Sequence, residues 1–441
     1  MKNNHYYQVA IIGGGISGAA LLYTLARYTD IQSIALFEKY GEVGSVNTNA
    51  KSNSQTLHCG DIETNYTYEK AKKVKRTANM LEKYALQHGY DGEHMHKVTK
   101  MALGVGEEEV AYIKARYEEF ISLYPYLELW DEAALAEIEP ALLEGRKEPI
   151  VAMGAKGEYS AIDFGAIAKS FVHNAEQESK KEVGLFLDTE IKAMKKRGDK
   201  SILQCDRGEF FADFVVVNAG AHSLLLAHQM GFGKEYSCLP IGGSFFYAKK
   251  SVLHSKVYTV QNPKLPFAAV HGDPDLVKDG VARFGPTALA LPKLERYKAN
   301  HFIDFLHSLS PDEAVLKVFY DLLKDDDIRD YVFRNFIYEI PGLRRKEFVK
   351  ELQKIIPMIG ADDIKFAKNI GGLRPQVIDK VKKELLLGEA KIETDIGIIF
   401  NMTPSPGATS CLGNAEIDAR LVCDFLGQKF KENKFKDELE S

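Results

Sequence analysis

The chain predicts an α/β fold, and three features of its 441 residues predict it. An apolar strand, a glycine turn, a helix and a second apolar strand follow one another between Val9 and Tyr40. A second strand–turn–helix unit comes at 210–231, and a third closes the chain from 398 to 426. The segments between them alternate short strands with amphipathic helices. The expected architecture is a Rossmann-like nucleotide-binding domain built from discontinuous segments, plus an α+β domain with a mixed or antiparallel sheet. The nucleotide-binding pieces are expected at 1–80, 152–225 and 366–441. The second domain is expected at 81–151 and 226–365.

The first unit carries the most information. "QVAII" (8–12) is a continuous apolar run, as a parallel strand buried on both faces requires. Gly13, Gly15 and Gly18 then form GxGxxG, and "SGAALLYTLARY" continues at helical spacing. "SIALFEK" (33–39) is a second buried strand, and Glu38 stands 20 residues after Gly18. This is the context that a dinucleotide fingerprint requires. Gly13 allows the tight turn. Gly15 lets the backbone approach a pyrophosphate seated on the helix N-terminus, beside Ile16 and Ser17. Gly18 lets helix and strand pack closely. Glu38, followed by Lys39, would accept hydrogen bonds from a ribose diol.

Composition narrows the field. Net charge is −5, which argues against nucleic acid as a partner. The five cysteines form no CxxC pair, so a zinc ribbon or dithiol motif is not expected. "MKNNHYYQVAII" has no signal-peptide pattern, and no run of about 18 apolar residues occurs. A cytoplasmic location is expected.

The later units separate the cofactors. "FFADFVVVNAGAHSLLLAHQMG" (210–231) is a strand ending in a small-residue turn at Ala219–Gly220, which would return to the nucleotide. "IIFNMTPSPGATSCLGNAEIDARLVCDFL" (398–426) is a strand, a loop and a helix expected to begin near Ala408. Its N-terminus could direct positive charge at a flavin carbonyl. No second GxGxxG is present, as an NADH-driven reductase would need. FAD is therefore the expected cofactor, with electrons entering from an organic substrate. The alternating stretch 182–220 suits a small antiparallel sheet inserted in this domain, with the adenine near Ile191.

These pieces resemble the D-amino-acid-oxidase-like flavoproteins, and within them the malate:quinone oxidoreductases. "SNSQTLHCGDIETNYT" (52–67) is similar to the stretch after the second strand, where that family brings a Ser/Asn-rich turn to the flavin. The resemblance thus implies flavin contacts from Ser52, Asn53, Thr56 and Leu57. "PSPGATS" (404–410) is similar to the family's Ser-Pro-Gly-Ala-Ser loop and implies contacts from Pro406, Gly407, Ala408 and Thr409. "VHGDPDLVKDGVARFGPTA" (270–288) is similar to its His-x-Asp and Gly-Pro segment. "GEYSAIDFGAIAKSF", "PFAAVHGDPD" and "GGLRPQV" also resemble L-2-hydroxyglutarate dehydrogenases. Both groups oxidise a 2-hydroxy dicarboxylate. The resemblance implies oxidation of malate with electrons passed to a quinone. An amino-acid oxidase and a non-redox FAD binder are the other readings.

Oxidising a secondary alcohol with flavin requires a base for the hydroxyl proton, and histidine suits neutral pH. His271 follows the apolar run "PFAAV" and precedes Asp273, which could orient it; the resemblance implies that it is the base, with His58 the second choice. A dicarboxylate calls for arginines, whose planar fork matches a carboxylate. Arg374, at the bend "GGLRPQV", and Arg283, on a strand pairing back towards His271, are expected there. A lipid-soluble quinone implies peripheral contact with the inner face of a cell membrane. The basic stretch 344–356 and the tail "GQKFKENKFKDELES", with Phe430 and Phe435 among lysines, are candidate anchors, although acids in the tail offset its lysines. Helices are expected at 298–308, 311–324 and 345–356, and "KDDDIRD" (324–330) as a solvated helix end or loop.

Overall fold

The computed structural model describes residues 5–250, 252–261, 269–278, 280–298, 301–386, 388–403 and 406–440. Tyr6–Ile12 is the central strand of an eight-stranded sheet. Ser33–Phe37 and then Glu182–Phe186 lie parallel on one side of it. Gly208–Val217 and Ile398–Met402 lie parallel on the other, and Ala390–Glu393 closes that edge antiparallel. Both faces of the central strands are buried. Val9, Ile11, Ile34, Leu36 and Val216 point into one core cluster. Ala10, Ile12, Ala35, Phe37 and Val217 point into another. Burial on both faces is why these strands read as unbroken apolar runs rather than as alternation.

Helix Ile16–Tyr28 packs between Phe164–Glu176 and Cys411–Leu426 on the first face. It is therefore buried on nearly every side, which its alanines and leucines permit. Cys411–Leu426 starts three residues later than the expected Ala408, because Pro406–Ser410 forms a turn ahead of it. Pro404 and Ser405 lie outside the described residues.

A second, mixed eight-stranded sheet runs Ile364–Phe366, Phe246–Ala248, Ala282–Gly285, His271–Pro274, Lys256–Thr259, Lys100–Val105, Ile150–Ala155 and Glu128–Trp130. Its one parallel pairing joins Lys256–Thr259 to Lys100–Val105. A four-stranded antiparallel sheet contains Leu289–Ala290, Tyr236–Gly242, Leu373–Asp379 and Glu384–Leu386.

These pairings move three expected boundaries. Residue 152 falls inside Ile150–Ala155, a strand of the mixed sheet. Residues 373–386 pair with Tyr236–Gly242, so the C-terminal piece of the nucleotide-binding sheet begins at Ala390. Helix Tyr68–Gln87 crosses residue 80 and packs on Cys411–Leu426 in the first core. Of the "PFAAV" run, 266–268 lies outside the described residues, and the strand itself begins at His271.

The three expected helices are present as Phe302–Leu309, Glu313–Lys324 and Arg344–Leu352; residues 299 and 300 lie outside the described residues. "KDDDIRD" spans a helix junction: Asp325 caps a further helix, Asp326–Ile337, by accepting from the backbone N–H of Asp327 and Ile328. The C-terminal helix Glu432–Leu439 is docked. Phe435 is buried edge-on against Tyr28, and Glu438 pairs with Arg27 at 2.7 Å. Phe430 packs against the same core. The tail is thus an internal support. In Arg344–Leu352, Phe348, Val349 and Leu352 face the core of the mixed sheet.

Candidate active site

A cavity of about 520 Å³ runs along the C-terminal ends of the central strands. At one end it is lined by Glu38, Lys39, Thr189 and Ile191. It passes Gly13, Gly15, Ile16, Ser17, Ala219 and Gly220. At the far end stand Ser52, Asn53, Thr56, His58, Arg374, Pro406, Gly407 and Ala408. This is the place where open α/β sheets bind ligands, outside the carboxyl ends of their strands.

The fingerprint glycines divide into two kinds. Gly13 has φ +109°, and a Cβ there would lie 2.3 Å from the Asn218 carbonyl oxygen. A Cβ at Gly18 would lie 1.9 Å from the Gly13 carbonyl oxygen. These two are glycine because backbone meets backbone, and Gly18 does not line the cavity. Gly15 is different: its nearest neighbour would be Thr48 Oγ1 at 3.4 Å, so the space before it is open to a ligand. Glu38 is fixed on the wall by accepting from Gly14 N at 2.7 Å and Tyr40 N at 3.0 Å. Burial raises its pKa against those two hydrogen bonds. Lys39 pairs with Glu295, whose carboxylate also lies near His222 and His301. These features fit an adenine dinucleotide laid along the cavity.

Residues 52–58 are held from several sides. Leu57 N donates to Ser160 O at 3.0 Å and its side chain sits in the first core, so it supports the cavity wall from behind. Thr409 is likewise buried, and its Oγ1 accepts from His58 N at 3.1 Å. His58 projects from this segment into the cavity, with Nδ1 2.6 Å from Glu63 Oε1. That contact assigns the Nδ1 proton to the Glu63 bond and leaves Nε2 as the acceptor. Glu63 Oε2 is buried without a hydrogen-bond partner among the described residues.

His271, the expected base, lies elsewhere. It is 2% exposed and does not line the cavity. Its Nδ1 bonds Asp273 at 2.5 Å, and Tyr258 stacks on its ring with centroids 4.2 Å apart. The Tyr258 hydroxyl in turn bonds Thr56 Oγ1 at 2.8 Å, and its ring stands edge-on to His58. Burial lowers the His271 pKa, opposed by Asp273. Burial alone would raise Asp273, but His271 and the buried Lys256, 3.0 Å away, outweigh it and hold the carboxylate ionised. His271, Asp273 and Lys256 thus form a charge-compensated layer behind the wall that carries Thr56 and His58.

The two expected arginines also separate. Arg374 lines the cavity, and no carboxylate pairs with it among the described residues. Burial lowers its pKa, with Tyr331, Tyr258 and Tyr66 acting in the opposite direction; a guanidinium remains a cation at neutral pH all the same. The two glycines before it explain its place. A Cβ at Gly372 would meet Ser52 O at 2.3 Å, and one at Gly371 would meet Gly243 O at 2.0 Å. Asn47 locks the approach by bonding both the N–H and the carbonyl of Leu373. Arg283, by contrast, is buried and off the cavity wall. Its Nε donates to Asp275 at 2.6 Å, and its Nη1 donates to the carbonyls of Ala50 and Asn53. It therefore braces the 50–53 loop, and its fork is not available to a substrate carboxylate.

The family model for malate:quinone oxidoreductase (Mqo) matches residues 5–441. The chain belongs to the malate:quinone oxidoreductase family. A probable malate:quinone oxidoreductase of Campylobacter jejuni is 52% identical over 443 residues, covering 98% of this chain and 99% of the relative. A malate:quinone oxidoreductase of Helicobacter pylori is 44% identical over 441 residues, covering 98% of each. Among solved structures, the FAD-bound L-α-glycerophosphate oxidase of Mycoplasma pneumoniae superposes with a TM-score of 0.66 at 18% identity, covering 95% of this chain and 94% of that one. Glycine oxidase of Geobacillus kaustophilus superposes with 0.65 at 17% identity, covering 95% of each. These two share the fold of this malate:quinone oxidoreductase family member.

Sequence reading missed Glu63, Tyr258, Lys256 and Thr48. Only Glu63 left a local signal, five residues after His58. Arg296 stands off the cavity: its Nη2 bonds Ser244 and Glu339, while Nε and Nη1 are buried without a hydrogen-bond partner among the described residues.

Proposed function

We propose that this chain binds FAD noncovalently, oxidises (S)-malate to oxaloacetate and passes the electrons to a quinone. The observation that carries the reading is Arg374, a half-buried guanidinium on the cavity wall without a carboxylate partner among the described residues, in the same cavity as a histidine already oriented by a carboxylate. The naming of relatives at 44–52% identity supports malate and quinone as substrate and acceptor. The glycine cradle and the fold neighbours support FAD.

Gly13–Ser17, Glu38 and the 406–408 turn would hold the cofactor. Bound FAD supplies the acceptor for the two electrons of alcohol oxidation. Arg374 grips one malate carboxylate through its planar fork. His58 takes the hydroxyl proton at Nε2 while Glu63 holds Nδ1–H and stabilises the imidazolium that forms. With that proton removed, hydride can leave the malate C2. The Tyr258, His271 and Lys256 layer keeps this corner dry and fixed.

His58→Gln should keep FAD and slow flavin reduction at saturating malate by ~10²–10⁴-fold, the usual worth of a positioned base. His271→Gln should slow it less and lower stability instead. A dead His271 variant beside an unimpaired His58 variant would reverse that assignment. Arg374→Lys should fail to restore the malate affinity lost in Arg374→Ala, since lysine lacks the bidentate fork.

A further inference from the structure

Helices Phe302–Leu309, Glu313–Lys324 and Asp326–Ile337 carry about half of the strongly exposed large apolar side chains of the described residues. Their inner faces are accounted for. Phe305, Leu309, Val315 and Val318 are buried in the core cluster shared with Tyr236–Gly242. Their outer faces carry large apolar side chains too, beside exposed charges such as Lys317, Asp321 and Arg334. On the middle helix Leu316, Tyr320 and Leu323 recur at i, i+4 and i+7 and are 64%, 66% and 48% exposed. Ile303 on the helix before it and Phe333 and Phe336 on the helix after it are 66%, 64% and 54% exposed. A helix with large apolar side chains on both faces calls for apolar surroundings on both. Monomeric proteins rarely expose apolar surface of this extent without a use for it.

The same helices border the reaction cavity. Asp304, one residue from Ile303, lines it. Asn335, between Phe333 and Phe336, accepts a hydrogen bond from Ala288 N at 2.6 Å, and Ala288 is part of the cavity wall. Tyr331 lies close enough to Arg374 to interact with it electrostatically. So each of the outer two helices joins the apolar face to the site within a turn.

Resting on the quinone reading above, we propose that this three-helix face is where the protein lies on a lipid bilayer, so that an acceptor dissolved in the bilayer arrives beside the cavity. Residues 302–336 carry eight acids against four bases. Attraction to anionic headgroups therefore cannot drive the contact, and insertion of Leu316, Phe333 and their neighbours must. This sets the face apart from the basic stretch 344–356 and from the docked tail.

The test uses the full-length, flavin-loaded protein and the double variant Leu316→Glu/Phe333→Glu, both positions lying outside the core and the site. Wild type should sediment with phosphatidylcholine vesicles at low and high salt alike. The variant should stay in solution and lose about tenfold or more of its turnover with a long-chain quinone carried in the vesicles. Its flavin should still bleach with malate as fast as that of wild type. Wild type that ignores vesicles, or a variant that binds them equally well, overturns the proposal. So does a wild type that is dimeric without vesicles while the variant is monomeric, because a second copy then covers the face. Malate that leaves the wild-type flavin oxidised overturns the functional reading alone, and the vesicle result still decides the face.

Discussion

Gly15 and Gly18 stand three residues apart and are expected to fail in different ways. A side chain at Gly15 meets only Thr48 Oγ1 at contact distance, and the backbone there has an ordinary φ of −71°. Gly15→Val should therefore fold normally, by circular dichroism, and purify without flavin colour. A yellow Gly15→Val protein would mean that no pyrophosphate lies there. Gly18→Val drives a side chain into the Gly13 carbonyl and should cost the fold itself, read as a lower thermal midpoint. Arg283 makes a similar distinction. Removing a buried charge partner leaves Asp275 uncompensated, so Arg283→Ala should lose ~3–5 kcal/mol of stability in urea titration. An unchanged midpoint with a raised KM for malate would put Arg283 back in the binding site.

Among the elements, the C-terminal helix gives the clearest prediction. Phe435 is fully buried against Tyr28, so Phe435→Ala should cost ~3–5 kcal/mol, whether or not lipid is present. A Phe435→Ala protein as stable as wild type but unable to bind vesicles would make the tail an anchor after all. Lysines around two phenylalanines look amphipathic in the sequence, and only contacts across some 400 residues decide what the phenylalanines touch. The fingerprint was legible because its strand, glycines, helix and acid act on one another within 30 residues. The bend at Arg374 was legible because paired glycines before an arginine mark a close backbone approach. His271 ranked above His58 in the sequence, and nothing local could reverse that order, since each has a carboxylate within five residues. What separates them is Tyr258 and the cavity wall, which come from another sheet. The sheet boundaries near 152 and 373–386 shifted for the same reason: strand pairing is non-local.

Over the whole molecule, histidines that the fold holds neutral make stability depend on pH. Burial, reinforced by Lys39, lowers His222 to about 3 from the usual 6.5. The unfolded chain therefore binds a proton that the folded one refuses wherever the pH lies between those values, and stability rises with pH across that window. His271, also lowered by burial, adds to the slope. Stability should be full above pH 6.5 and fall steadily below it. In urea titrations at fixed flavin concentration, His222→Asn should show a shallower decline than wild type; parallel curves would mean that His222 is not buried in its neutral form.

The cavity, its glycine cradle, His58 and Arg374 converge on one reaction, and anaerobic mixing with (S)-malate tests it most directly. The visible flavin band should bleach with (S)-malate, should bleach far more slowly in His58→Gln, and should persist with glycine or other amino acids. A flavin that amino acids bleach and malate does not would contradict the assignment of this site to a 2-hydroxy dicarboxylate.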